Sequence, residues 1–76
     1  MTEDIQKIEI TTEFIKLSRF MKFADLVYTG GDAKGFIQDG SVKVNGEICT
    51  QRGKKLRDGD VVSFNGEDFM VCFNDG

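Results

Sequence analysis

Histidine is missing from all 76 residues, and cysteine occurs only twice, at Cys49 and Cys72. Without an imidazole there is no Ser-His or Cys-His pair to activate a nucleophile, and no histidine to hold a metal. Two cysteines are also too few for a zinc site and too sparse for a disulfide scaffold. Both thiols fall among apolar, strand-like neighbours, where a thiol is inert. The plain reading is a reduced intracellular protein, with one disulfide as the lesser alternative. Long apolar runs are missing too: no stretch approaches the ~20 residues that cross a bilayer. The opening MTEDIQKIEI is acidic and lacks the basic start and apolar run of a signal peptide. Linkers, repeats and low-complexity segments are absent. The expectation is one cytoplasmic domain over residues 1–76, monomeric, with no metal, no small-molecule cofactor and no membrane partner. A chain of 8.5 kDa barely builds a substrate cavity, and its acids are dispersed over turns and solvent faces. We expect no catalytic residues and no enzyme.

What the chain does contain is a core and a divided charge. Its apolar fraction is 39% with seven phenylalanines, enough for one small core, so disorder is not expected. The net charge of −3 at first argues against a nucleic-acid partner, but the distribution does not. Residues 1–13 carry one Lys against four acids, and residues 58–76 carry five acids and no base. Residues 14–57 hold nine of the ten basic residues against four acids, a local net of +5. Binding to phosphate depends on the local field rather than the total. The bland alternative is chance clustering of solvated charge.

Ile8, Ile10, Thr12 and Phe14 alternate with polar residues and read as a half-exposed strand. Leu17, Phe20, Met21 and Ala24 then follow helical spacing, with Ser18 placed to cap a first helix that ends near Leu26 or Val27. Thr29 caps a second helix with apolar positions Ala33, Phe36 and Ile37, Asp32 in its first turn and Gly40 just past its end. Gly35, inside that helix, costs about 1 kcal/mol relative to Ala and suggests close packing on the first helix or close approach of a ligand. From Ser41 the period is two. Val42-Lys43-Val44, Asn45-Gly46 and Glu47-Ile48-Cys49 form a type I′ hairpin signal. A second hairpin follows, VVSF and FMVCF flanking Asn65-Gly66-Glu67-Asp68. The fold class is α+β, two short helices packed on a small twisted antiparallel sheet.

Lys16, Arg19 and Lys22 recur at spacing three along one side of the first helix. Phe23 lies beside them, and it either stacks on an exposed base or, the preferred reading, completes the core. Lys34 points out of the second helix, opposite Ala33 and Ile37. Arg52, Lys54 and Lys55, with Gly53 between, form a basic turn able to grip adjacent phosphates; alone, it is an ordinary solvated loop.

The ordered set of motifs resembles the S4 RNA-binding domain. It comprises Lys16-Leu17-Ser18-Arg19-Phe20-Met21, then Thr29-Gly30-Gly31-Asp32-Ala33-Lys34, then Ile37-Gln38-Asp39-Gly40-Ser41-Val42-Lys43-Val44-Asn45-Gly46. Leu56-Arg57-Asp58-Gly59-Asp60-Val61-Val62 is similar to the family's closing strand. The match spans about residues 14–64 and is similar to small stand-alone bacterial S4 proteins of the YaaA-like group. The V-x-V-N-G segment by itself is a common hairpin; the ordered set is specific. The resemblance implies an S4 (αL-type) fold and structured RNA, often ribosomal, as the ligand. It carries over an RNA-binding surface of Lys16, Arg19, Lys22, Thr29, Lys34, Lys43, Arg52, Lys54 and Lys55. Many S4 domains place Arg directly after the second helix cap, where this chain has Gly30. Backbone N–H groups of Gly30 and Gly31 are then expected to take a phosphate at the helix start.

Two other readings compete. A β-grasp sulfur carrier has similar length and a similar Leu56–Val62 segment, but needs a terminal Gly-Gly where this chain has Asn74-Asp75-Gly76. A protein–protein adaptor docking through the acidic C-terminal hairpin is compatible with RNA binding as well.

Overall fold

Segments with strand and helix periods alternate along the chain, and each becomes an element in the computed structural model, which describes residues 5–74. In order these are β1 (Gln6–Ile10), β2 (Ile15–Lys16), α1 (Leu17–Phe23), α2 (Gly30–Gln38), β3 (Val42–Val44), β4 (Glu47–Ile48), β5 (Lys55–Leu56), β6 (Val61–Phe64) and β7 (Glu67–Phe73). Five strands make one sheet in the order β1-β7-β6-β3-β4, while β2 and β5 pair separately. Two short helices on a small sheet is the α+β architecture expected. One pairing adds to it: β1 runs parallel to β7, so the sheet is mixed. Parallel neighbours need a long crossover, and the helices and intervening strands supply it.

Alternation sorts the strands' two faces. Val42, Val44, Val62, Phe69 and Val71 turn inward and join Leu17, Phe20, Met21, Ala33 and Ile37 in one buried cluster. Lys43, between Val42 and Val44, projects from the opposite, helix-free face. Phe36 of α2 meets Phe64 of β6 edge-on, with ring centroids 5.1 Å apart, closing one margin of the core. Cys49 and Cys72 are free thiols, both half-buried.

The Asn-Gly turns form as their chemistry requires. Asn45 and Gly46 have φ of 52° and 86°, and Asn65 and Gly66 have φ of 56° and 82°. Two successive positive φ values are the type I′ signature. The second loop is only two residues long, since Phe64 sits opposite Glu67 and both Glu67 and Asp68 belong to β7. Asn45 also ties the first hairpin to β6. Its Oδ1 accepts from the Val61 N–H at 3.0 Å, and its Nδ2 donates to Asp60 at 3.2 Å.

Four local expectations change. The first strand stops at Ile10, so Phe14 lies off it, beyond a bend in which the Thr12 hydroxyl donates to the Phe14 carbonyl. Ser18 does not cap α1, whose first residue is already Leu17. The helix ends at Phe23, earlier than Leu26, because Asp25 adopts φ 61°. There the Leu26 N–H reaches the Met21 carbonyl and the Asp25 N–H that of Lys22. This is a Schellman closure with Asp where Gly is usual. Finally, Gly35 packs against nothing: a Cβ there would meet no atom within 4 Å.

Asn45→Ala removes two hydrogen bonds and leaves a strained left-handed residue, so urea denaturation is expected to show a loss of about 2 kcal/mol. Asp25→Gly relieves backbone strain and removes a carboxylate from the negative end of α1. It is expected to raise the urea midpoint by the equivalent of about 1 kcal/mol with the slope unchanged.

Candidate nucleic-acid interface

The first N–H groups of a helix have no partner within it and must find one outside. In α1 no side chain serves. Instead the Leu17 N–H donates to the Lys54 carbonyl at 2.8 Å and the Ser18 N–H to the Arg52 carbonyl at 3.1 Å. Just before the helix, β2 pairs with β5, Ile15 opposite Leu56 and Lys16 opposite Lys55. The buried Ile15 and Leu56 anchor this short ladder in the core, while Lys16 and Lys55 stay exposed. The basic turn is thus bound by its main chain to the start of the basic helix. Residues directly opposed on an antiparallel pair hold their Cβ atoms about 5 Å apart, and like charges there are destabilising.

Arg57 and Phe14 extend this group. The Lys55 Nζ lies 5.0 Å and the Arg57 Cζ 5.7 Å from the Phe14 ring centroid. Both are within reach of a cation–π attraction. Acids in the following turn are engaged elsewhere. Asp60 accepts from the Arg57 N–H at 2.8 Å, and Asp58 accepts from the Phe73 N–H at 3.0 Å. Asp68 accepts from the Ser63 hydroxyl and Glu67 from the Gln6 amide. Among the described residues, no ion pair joins any cation to a carboxylate. Glu3, Asp4 and Asp75, acids of the two expected acidic ends, lie outside those residues.

The structure gathers Lys16, Arg52, Lys54 and Lys55 at the beginning of α1, and Arg19 and Lys22 continue along its exposed side. Phe23 does not complete the core. It is 58% exposed, because Leu17, Phe20 and Met21 already fill the inward face. Thr29 caps α2 as expected, its hydroxyl accepting from the Asp32 N–H at 3.1 Å. Gly30 and Gly31 follow as the first helical residues; a Cβ at Gly30 would meet nothing within 4 Å, and at Gly31 only the Thr29 hydroxyl. This helix start follows the C-terminal turn of α1, at the opposite end of that helix from the docked loop. Lys34 is exposed on α2. Lys43 stands apart from all of these: it lies in register with Ser63, itself opposite Asp68, on the helix-free face of the sheet.

Sequence reasoning missed two members of the group. Phe14 looked like one position of a longer half-exposed strand, and Arg57 stood only in the segment similar to the family's closing strand. The signal for Arg57 was its spacing of two from Lys55, which puts both on one face of an extended segment. No group of three metal-ligating side chains occurs among the described residues, and no helix of theirs is long and apolar enough to cross a membrane.

The chain is similar to proteins of one kind. Residues 8–72 match the family model described as "S4 domain". The probable ribosome maturation protein RlbA of Bacillus subtilis (strain 168) is 48% identical over 59 residues, covering 78% of this chain and 83% of that protein. The solution structure of YbcJ from E. coli, described as revealing an alfaL motif involved in RNA-binding, superposes with a TM-score of 0.69. That similarity has 26% identity and covers 95% of this chain and 92% of YbcJ. These matches set aside the β-grasp carrier and any enzymatic reading. With the family model matched over residues 8–72 and a relative 48% identical over most of its length, the chain belongs to the S4 domain family.

Proposed function

We propose that this chain is a non-catalytic cytoplasmic module, acting as a monomer, that binds structured RNA, with ribosomal RNA the leading candidate. Its binding surface is centred on the start of α1. The observation that carries this reading is the opposition of Lys16 and Lys55 on neighbouring strands, with Arg52 and Lys54 bound beside them. Such a grouping opposes folding, and a bound polyanion relieves it. The similarity to a probable ribosome maturation protein and to a structure with an RNA-binding motif supports the same ligand.

In this reading Arg52, Lys54, Lys55 and Lys16 hold phosphates at one end of α1, and Arg19 and Lys22 continue the track. Thr29, Gly30 and Gly31 offer main-chain N–H groups to a further phosphate at the start of α2, with Lys34 on the next turn. Lys43, on the other side of the sheet, acts only on RNA that wraps the edge formed by β3 and β4. Phosphate contacts of this kind fix position, and recognition falls on the shape of folded RNA.

With four to six phosphate contacts, affinity for a folded ribosomal RNA fragment is expected to fall with salt at a log–log slope of about −3 to −5. Replacing Arg52 and Lys54 with Ala should flatten that slope by about 2. Lys55→Glu separates function from folding. Thermal stability should stay within about 0.5 kcal/mol, since relief of the repulsion with Lys16 offsets the lost contact with Phe14, while RNA affinity drops; equal affinity in filter binding would refute the assignment. Replacing both Gly30 and Gly31 with Ala should weaken RNA binding in a protein that remains folded by circular dichroism. Unchanged affinity there removes the α2 anion site from the surface.

A further inference from the structure

Besides Phe36, which rests against Phe64, two phenylalanines remain exposed although the fold has a core to receive them: Phe14 is 36% and Phe23 is 58% exposed. They come from different elements, the bend after β1 and the last turn of α1, yet both wall one groove of about 600 Å³. Ile10 and Ile15 line the same groove, and Arg19 and Lys16 stand on its margin. Over the Phe14 ring, Lys55 and Arg57 add two more cations. Among the described residues, no carboxylate lines this space. Arg19 and Lys22 also flank Phe23 in the adjoining depression.

Resting on the RNA-binding reading above, the geometry points to this groove as the seat of a single unpaired nucleobase, stacked against Phe23 and bounded by Phe14. A nucleobase is a flat, largely apolar face attached to an anionic backbone, and the groove offers the complement: aromatic and aliphatic walls with two threonines, Lys16 and Arg19 in its lining, and Lys55 and Arg57 over the Phe14 ring. Aromatic stacking with cationic support is how single-stranded bases are commonly held, and it tolerates any base because every base has a π-face. A fully paired helix keeps its bases in the stack and presents only backbone and groove edges to such a surface. The groove therefore selects RNA with a bulged or looped-out residue, which the phosphate contacts alone would not do. The cations would attract an acidic peptide's carboxylates too, but the peptide's backbone polar groups would lie unpaired on the phenylalanines, which disfavours it.

The test compares two RNA hairpins of equal length, one fully paired and one with a single bulged 4-thiouridine, against the whole protein over a series of salt concentrations. The unmodified chain is expected to bind the bulged hairpin about tenfold more tightly. Irradiation at the thio base should crosslink it to peptides containing Phe14 or Phe23. Phe23→Leu keeps apolar bulk but loses the π-face, and should erase the preference while leaving the salt slope and the affinity for the paired hairpin unchanged. Phe23→Ala should do the same, and thermal unfolding verifies that both variants fold. Equal binding of the two hairpins, or a preference untouched by both Phe23 variants, overturns the stacking site and leaves the phosphate surface standing. Failure of both hairpins to bind even at the lowest salt concentration overturns the RNA reading and the stacking site together. Capture of a lysate protein that Phe23→Ala abolishes, with the RNA preference intact, also overturns the assignment in favour of a peptide.

Discussion

The structure turns on the docking of a loop's carbonyls onto the start of a helix. Seven residues are too few for α1 to persist alone, since helix nucleation is costly and its propagation brief. Its first two amides are satisfied only because Lys54 and Arg52 present their carbonyls there, and the Ile15–Leu56 ladder beside them is buried. One main-chain arrangement therefore stabilises the helix and determines where four cations stand. Charge placement is a by-product of capping, so the side chains of Arg52 and Lys54 stay free of structural duty.

A similar division of labour governs the acids. Asp58, Asp60, Asp68 and Glu67 accept from nearby amide or hydroxyl groups around the last three strands. They hold turns and strand ends together rather than neutralising the cations near α1. A chain with net charge −3 thus keeps a positive region because these carboxylates are engaged by amide and hydroxyl donors rather than paired with its cations.

How much of this was readable in advance depended on the range of the interaction. Thr29 capping α2 and the two Asn-Gly turns rest on contacts within four residues, and local chemistry determines them. Ser18 looked an equally good cap, yet the distant loop had already taken its place. Phe14 continued an alternating pattern, but β1 stops at Ile10, where Phe73, at the end of β7, lies in register. Phe23 satisfied a helical period that the core had no room to use, since Phe20 and Met21 fill it completely. The candidate site was legible as a list of cations. Its assembly depended on the β2–β5 pairing, two residues long on each side and without a turn signal to announce it.

The parallel partnership of β1 with β7 also constrains how the molecule acquires its shape. β1 is an edge strand whose neighbour is the last strand of the sheet. Synthesised before every other element, it has nothing to pair with until the rest of the domain has been made. Contacts of such high sequence separation form slowly because closing the intervening chain carries an entropic cost before any bond rewards it. The two hairpins are assembled from near neighbours and need no such wait, so their strands can pair before the sheet's outermost seam is sealed.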